Sequence, residues 1–299
     1  MGGISTLIGT PPNALLKGFL ENQYNIDIAF FNWMLFATPL ALVLFIIAYF
    51  GVLYTFKINK IAKLDDTSSL SSNYFQEELK KLGSLSYPEK VVAVVFLITA
   101  LSWIFKKYIN QLFSISLTDE IIAISALLSL FLIPVSLKKK EFIMDVKSFL
   151  ARVPWDILLL FGGGLALSDL FIKTGFSTWI ANSLGFLATA SLFISILVVV
   201  FAMAFATEFT SNASITAIFL PITAALAIQF NINPLLLAIP VTIASSCVFI
   251  LPIGTPANAV VFGSGKLSVV DMLKFGLIFN IIAVIIISVY SYYLLDLFF

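Results

Sequence analysis

Two short segments of nearly identical sequence stand near opposite ends of this chain. Residues 8–14 read IGTPPNA and residues 253–259 read IGTPANA, and both lie in strongly apolar surroundings. Glycine and proline interrupt a membrane helix, and the interruption frees backbone carbonyl and N–H groups that can bind ions. Paired interruptions in corresponding halves of an apolar chain predict the substrate site of a secondary transporter.

A third interruption, residues 207–212, reads TEFTSN and divides a long apolar segment. Freed carbonyls and neutral side-chain oxygens favour a small hard cation such as Na⁺, and the positive N-terminus of the next half-helix favours an anion. No arginine lies near these breaks, so an anion would be held by helix dipoles, hydroxyls and the charge of a co-bound cation. The side chains suited to this chemistry are hydroxyls and carboxamides: Thr207, Thr210, Ser211, Asn212, Ser214, Thr255 and Asn258.

Glu208 is the only charged residue between Lys173 and Lys266. An acid inside an apolar span is by default a functional residue, because an unpaired charge is costly there. Glu208 is therefore interpreted either as a proton-coupling group or as a structural acceptor for the N–H groups of the hairpin tip.

Composition places the whole chain in a membrane. Sixty per cent of the residues are hydrophobic, 11% are charged, and the mean hydropathy is +1.06. A soluble domain cannot bury that much apolar surface, and several uncharged stretches reach the roughly 20 residues that a helix needs to cross a bilayer. The absence of histidine and the single cysteine, Cys247, exclude histidine catalysis, an internal disulfide and a CxxC metal site.

Hydropathy divides the chain into spans, half-helices and one polar connector, residues 57–90. The pattern predicts a half-helix at 10–22 and spans at 29–56, 90–105, 118–137, 155–173 and 271–298. Two interrupted segments complete it: a re-entrant hairpin over 186–230 and a broken helix over 234–265. The tryptophans fall near predicted interfaces and indicate an aromatic belt: Trp33, Trp103, Trp155 and Trp179.

The basic residues predict the orientation of these spans. Lysines concentrate in the connector 57–90 and in residues 138–152, which are separated by two spans, so both can be cytoplasmic. The hairpin 186–230 then enters from the outside and carries residues 211–212 at its tip.

The residues around the breaks resemble those of the divalent anion:sodium symporter family, which carries dicarboxylates, citrate and sulfate. Residues 207–213 resemble the family's second hairpin tip, and residues 251–265 resemble the broken-helix loop that faces it. Residues 155–164 (WDILLLFGGG) resemble the span before that hairpin, and residues 2–13 resemble the first broken-helix loop. These motifs, in the family's order, cover nearly the whole chain outside the connector.

The resemblance also implies site residues by position. The expected substrate contacts are Ser211, Asn212, Thr255, Pro256, Thr10 and Pro11. The expected oxygen donors to Na⁺ are Thr207, Thr210, Asn212, Gly254 and Gly9. Na⁺ is the coupling ion, and no organic cofactor is implied.

Two departures from the family pattern affect these expectations. Ala213 stands where the family usually has threonine, which removes one hydroxyl from the substrate site. The first hairpin has no counterpart before Gly2, and because internal repeats are alike in length, about 150 residues are expected upstream. The chain is therefore interpreted as a carboxyl-terminal fragment that does not transport alone.

These observations predict an all-α, inverted-repeat transporter whose first repeat is mostly missing. Its expected divisions are the end of a first-repeat broken helix (1–28), a span with its connector (29–89) and the second repeat (90–299). The implied function is Na⁺-coupled symport of C4-dicarboxylates such as succinate and malate, without enzyme activity or a nucleic-acid partner. The expected setting is a homodimer in the lipid bilayer of a bacterial or archaeal inner membrane.

Three alternatives to this function stay open. Two are a dicarboxylate exchanger and a sulfate or citrate transporter of the same family. The third, of a different class, is a non-transporting membrane interaction protein.

Overall fold

A computed structural model of the chain describes residues 2–55, 68–136, 141–265 and 267–299, and leaves the side chains of 68–74 and 188–189 undescribed. Residues 56–67, which include the first part of the predicted connector 57–90, lie outside the described residues, as do 137–140 and Lys266. The described part is predominantly helical with almost no sheet, which confirms the predicted all-α class.

The helices are numbered here in chain order. They are α1 (Pro11–Tyr24), α2 (Phe30–Thr55), α3 (Ser68–Leu82), α4 (Tyr87–Phe113), α5 (Asp119–Leu132), α6 (Val146–Arg152), α7 (Trp155–Lys173), α8 (Phe176–Ser183), α9 (Leu192–Ala206), α10 (Asn212–Gln229), α11 (Leu235–Ala244), α12 (Pro256–Gly263) and α13 (Val269–Leu294). Short 3₁₀ turns occupy Gly2–Ser5, Gly185–Thr189 and Leu295–Leu297. A two-stranded antiparallel ribbon pairs β1 (Pro134–Ser136) with β2 (Glu141–Phe142).

The chain forms two compact units, Met1–Lys57 with Trp155–Phe299, and Ile58–Pro154. The predicted boundaries at residues 28 and 89 separate sequence repeats, whereas these units are defined by compactness. The two compact units therefore do not test the predicted boundaries, which stay predictions.

Helix α10 lies at the centre of the first unit, where it packs against α1, α7, α8, α9 and α11. Its buried face is lined by small and β-branched residues, such as Ala213, Ala217 and Ala224, which let neighbouring backbones approach closely. Ser168 of α7 donates a hydrogen bond to the carbonyl of Ala217 at 2.8 Å. Helix α13 packs against α2, α9 and α11.

Five described helices are long and apolar enough to cross a bilayer: Phe30–Thr55, Tyr87–Phe113, Trp155–Lys173, Asn212–Gln229 and the extended last helix Val269–Leu297. Their length and composition are those of membrane spans. The chain is accordingly an integral membrane protein.

The second unit contains the paired helices α4 and α5 and the ribbon. Lys106 and Asp119 form an ion pair at 2.8 Å between these two helices. Helix α5 is shorter than the predicted span 118–137, because the chain leaves the helix at Ile133 and Pro134 cannot continue it. Further along, Ser148 hydrogen-bonds Asp145 at the start of α6, which holds the pKa of that carboxyl below its usual range.

One of the predicted belt tryptophans is a core residue. Trp33 is fully buried and donates from its indole nitrogen to the carbonyl of Ile4 at 2.9 Å. Its position near an apparent helix end suggested an interface, whereas the buried 3₁₀ turn before α1 supplies the hydrogen-bond acceptor. Trp155 and Trp179 are exposed, at 54% and 64%.

Candidate functional site

The three sequence interruptions all lie at irregular backbone between helices. The hairpin tip, defined as residues 207–212, separates α9 from α10, and residues 245–255 separate α11 from α12. Residues 245–251, the first part of the break between α11 and α12, are called the central loop below. Side chains from the other two breaks, Thr10, Thr207 and Glu208, contact the central loop, and so does Asn258 at the start of α12.

An all-oxygen cluster joins the hairpin tip to the central loop. The buried hydroxyl of Thr207 lies 2.9 Å from Oδ1 of Asn212 and 3.0 Å from the carbonyl oxygen of Ser245. A hydroxyl has one hydrogen, so it can donate to only one of these two acceptors at a time. The cluster therefore has more lone pairs than protons, which is the environment that a hard cation needs.

The Glu208 carboxylate is a second link between the tip and the central loop. Its oxygens accept hydrogen bonds from three consecutive backbone N–H groups, those of Phe249 (2.9 Å), Ile250 (3.1 and 3.2 Å) and Leu251 (3.1 Å). The side-chain amide of Asn280, in α13, donates to the same carboxylate at 2.7 Å. The geometry favours the structural interpretation of Glu208, and the N–H groups that it accepts belong to the central loop and not to the hairpin tip.

The two IGTPxNA segments share one internal hydrogen-bond pattern. The side-chain amide of Asn13 donates to the carbonyls of Gly3 (3.3 Å) and Thr6 (2.8 Å). That of Asn258 donates to the carbonyls of Val248 and Leu251, both at 3.0 Å. In each case the acceptors lie ten and seven residues before the asparagine, so the two segments are structurally equivalent members of an internal repeat.

The glycines of the two segments are equivalent as well. A side chain on Gly9 would collide with the carbonyl of Gly3, and one on Gly254 would collide with Val248, in each case the residue six positions earlier. Only glycine allows the segment to fold back so closely on itself. Gly9 and Gly254, the two glycines expected to give carbonyl oxygens to Na⁺, are thus also required for close backbone packing.

Replacing Asn258 with alanine is expected to lower the free energy of unfolding by about 1–2 kcal/mol, because two carbonyls lose their shared donor. The measurement is unfolding by dodecyl sulfate titration in mixed micelles. Asn182→Ala, at an exposed position of α8, is the matched control and should change stability by less than about 0.5 kcal/mol. Equal stability of the two variants would contradict the bridging role of Asn258.

Each break is followed by a helix whose N-cap residue carries a hydroxyl. Ser211 precedes α10 and is exposed, and its side chain makes no capping hydrogen bond. Thr255 precedes α12 and accepts from the backbone N–H of Asn258 at 3.2 Å. Thr10 precedes α1, and its hydroxyl instead lies 3.4 Å from that of Ser246 in the central loop.

The structure brings together only some of the predicted site residues. Thr207 and Asn212 belong to the oxygen cluster, and Gly254 lies beside Glu208, since a Cβ atom added to this glycine would be 3.5 Å from a carboxylate oxygen. Thr10 reaches the central loop through Ser246. Thr255 is half-buried and caps α12, and the other predicted residues lie at the same breaks at exposed positions: Thr210, Ser211, Pro256, Gly9 and Pro11.

Sequence reasoning missed three contributors to this site. The Ser245 carbonyl and the Ser246 hydroxyl belong to the two-serine start of the central loop, and Asn280 is a fully buried polar residue in a long apolar helix. The asparagine carried a usable signal, because polar residues inside spans usually face a partner. A backbone carbonyl carries none, since every residue has one.

Comparison with known proteins finds matches along nearly the whole chain. A family model for the sodium:sulfate symporter transmembrane region matches residues 1–296. The sodium-dependent dicarboxylate transporter SdcS of Staphylococcus saprophyticus is 35% identical over 298 residues, which are 98% of this chain and 56% of that protein. SdcS of Staphylococcus aureus strain USA300 is 34% identical over 299 residues, covering 99% of this chain and 57% of the relative. The chain thus spans a little more than half the length of these relatives.

Proposed function

Because this chain belongs to the sodium:sulfate symporter family, we propose that it takes part in Na⁺-coupled transport of C4-dicarboxylates such as succinate and malate. The observation that carries the proposal is the oxygen cluster of Thr207, Asn212 and the Ser245 carbonyl, which lies where two interrupted helices meet. The names of the Staphylococcus relatives support both the ion and the substrate class.

The oxygen cluster is proposed as one Na⁺ site. Discontinuous membrane helices bind Na⁺ through unwound carbonyls and neutral side-chain oxygens. Carbonyl oxygens of Thr210 and Gly254 would add ligands from the tip and from the end of the second break. By the internal repeat, Gly9 and the segment around it would contribute to a second Na⁺ site.

The dicarboxylate is proposed to bind between the N-termini of α10 and α12. The free hydroxyl of Ser211 and the exposed Pro256, with Thr255 beside it, border these helix ends, and Thr10 and Pro11 border the equivalent end of α1. Helix N-termini attract carboxylates. Since residues 209–265 contain no basic side chain, the bound cation would supply positive charge to the anion, and Na⁺ is proposed to bind first.

The setting of this activity is part of the proposal. The chain would act in a bacterial plasma membrane, as the Staphylococcus relatives suggest, and as a homodimer in the lipid bilayer, with Na⁺ as coupling ion and no organic cofactor.

Binding of radiolabelled succinate to the 299-residue chain in lipid nanodiscs tests this function. We expect saturable binding in Na⁺ and loss of at least about 90% of it when choline replaces Na⁺, because a tenfold weaker association leaves little occupancy at limiting ligand. Equal binding in choline would contradict the proposal.

Transport itself requires proteoliposomes. Uptake is measured for the chain alone and for the chain supplied with the part of the S. saprophyticus relative that it does not match. Na⁺-driven uptake by either protein supports the proposal. Uptake that needs internal dicarboxylate and ignores the Na⁺ gradient would indicate an exchanger, and a preference for sulfate or citrate would correct the substrate.

A further inference from the structure

We propose that Glu208 is a positioning residue that fastens the hairpin tip to the central loop and thereby holds the oxygen cluster in its ion-binding geometry. The fastening itself follows from the contacts of Glu208. Its consequence for Na⁺ affinity rests on the proposed function.

The position of Glu208 makes it the direct neighbour of the oxygen cluster. It follows Thr207 in sequence, is 2% exposed, and reaches the N–H groups of residues 249–251. Thr207 meanwhile contacts the carbonyl of Ser245, at the other end of the central loop. Two adjacent tip residues therefore hold both ends of the same loop, one through a carbonyl and the other through N–H groups.

The chemistry of this contact requires a carboxylate. Consecutive N–H groups at irregular backbone form a concave site for an anion, and at membrane depth an N–H group without an acceptor is costly. Four donor groups converge on the two oxygens of Glu208, including the amide of Asn280. Glutamine at this position would offer one oxygen and turn an NH₂ group toward donors, so neutralising the side chain breaks the arrangement.

The contact also excludes one group of N–H donors as a binding site for a transported anion. Because Glu208 already fills the N–H groups of residues 249–251, these groups are not available to a substrate carboxylate. Asn280 ties the same carboxylate to α13, so tip, central loop and α13 form one connected unit.

The single cysteine allows a direct measurement of how firmly the central loop is held. Cys247 lies inside the central loop and is 1% exposed, and its thiol is the only one in the chain. Its rate of labelling by N-ethylmaleimide in nanodiscs therefore measures opening of the central loop.

We expect Glu208→Gln to speed labelling of Cys247 about tenfold in Na⁺-free buffer and to raise about tenfold the Na⁺ concentration that half-protects the thiol. Asp169→Asn, which neutralises a partly exposed carboxylate that pairs with Lys173 in α7, is the matched control and should change neither value. A role in stability alone would lower the yield of folded protein and leave the half-protecting Na⁺ concentration of the folded fraction unchanged. That result, or unchanged labelling, would overturn the proposal.

A second, milder variant keeps the proposal testable if Glu208→Gln does not fold. Asn280→Leu removes one of the four donors, and we expect labelling about threefold faster than in the unsubstituted chain. If Glu208→Gln does not yield monodisperse protein, the Asn280→Leu result decides alone, and labelling at the rate of the unsubstituted chain refutes the proposal.

The two proposals fail in different ways. If Na⁺ has no effect on Cys247 in the unsubstituted chain, the sodium site is contradicted, and the labelling comparison in Na⁺-free buffer still tests the fastening. If Na⁺ protects the unsubstituted chain and Glu208→Gln equally, the sodium site stands and the positioning role is wrong.

Discussion

Gly276→Ala is expected to lower the free energy of unfolding by about 3 kcal/mol, the upper end of the usual cost of overpacking. Gly276 lies on α13 where that helix touches the central loop. A methyl group there would collide with the carbonyl of Phe249 and lie 2.6 Å from Cα of Ile250. These are backbone atoms of the same stretch that donates to Glu208, so they cannot move aside without breaking that contact.

Dodecyl sulfate titration in mixed micelles measures this change, and Gly163→Ala is its matched control. Gly163 lies in α7, where an added methyl group meets no atom within 4 Å among the described residues. Because alanine favours a helix over glycine by about 0.5–1 kcal/mol, the control should be neutral or stabilising. A Gly276→Ala protein as stable as the control would show that α13 and the central loop are not packed as described.

Thr207→Val is expected to weaken Na⁺ binding about 100-fold, which corresponds to about 2.7 kcal/mol. Valine keeps the shape of threonine and removes the oxygen at the centre of the cluster, so Asn212 and the Ser245 carbonyl lose their common neighbour. Thr207→Ser, which retains the hydroxyl, should remain within about threefold of the unsubstituted chain, because its oxygen can occupy the same position.

Direct ²²Na⁺ binding by scintillation proximity provides the measurement. Thr223→Val is the matched control, since Thr223 is also fully buried and its hydroxyl donates within α10, to the carbonyl of Leu220 at 2.9 Å. It should leave Na⁺ affinity unchanged. Equal affinity in Thr207→Val and Thr223→Val would assign the Thr207 hydroxyl a purely structural role and remove the main support for the sodium site.

Several features of the molecule could be predicted because they depend on local chemistry. The apolar composition requires membrane spans. Proline and glycine interrupt the two IGTPxNA segments and the polar run of residues 207–212 interrupts the third, so each break follows from the residues at it. The helices begin beside the expected positions, α10 at Asn212 and α12 at Pro256. The hydropathy pattern placed the end of α5 too late, at residue 137, because it ignored Pro134, which ends the helix at Leu132.

The contacts that complete the site depend on residues far apart in the chain. Glu208 and Asn280 are 72 positions apart, and Thr10 and Ser246 are 236 apart. No periodicity links such residues, because their meeting depends on how whole helices pack. Trp33 illustrates the same limit, since its burial follows from the turn that contains Ile4.

The sequence by itself therefore determined the membrane class, the doubled IGTPxNA segment and the residue types available at each break. Only the tertiary structure decided that the central loop is the common partner of the other breaks, and that Glu208 binds its N–H groups while Thr207 faces its Ser245 carbonyl. The physical reason is that a helix break is a property of a few consecutive residues, whereas the partners of its freed polar groups are chosen by long-range packing.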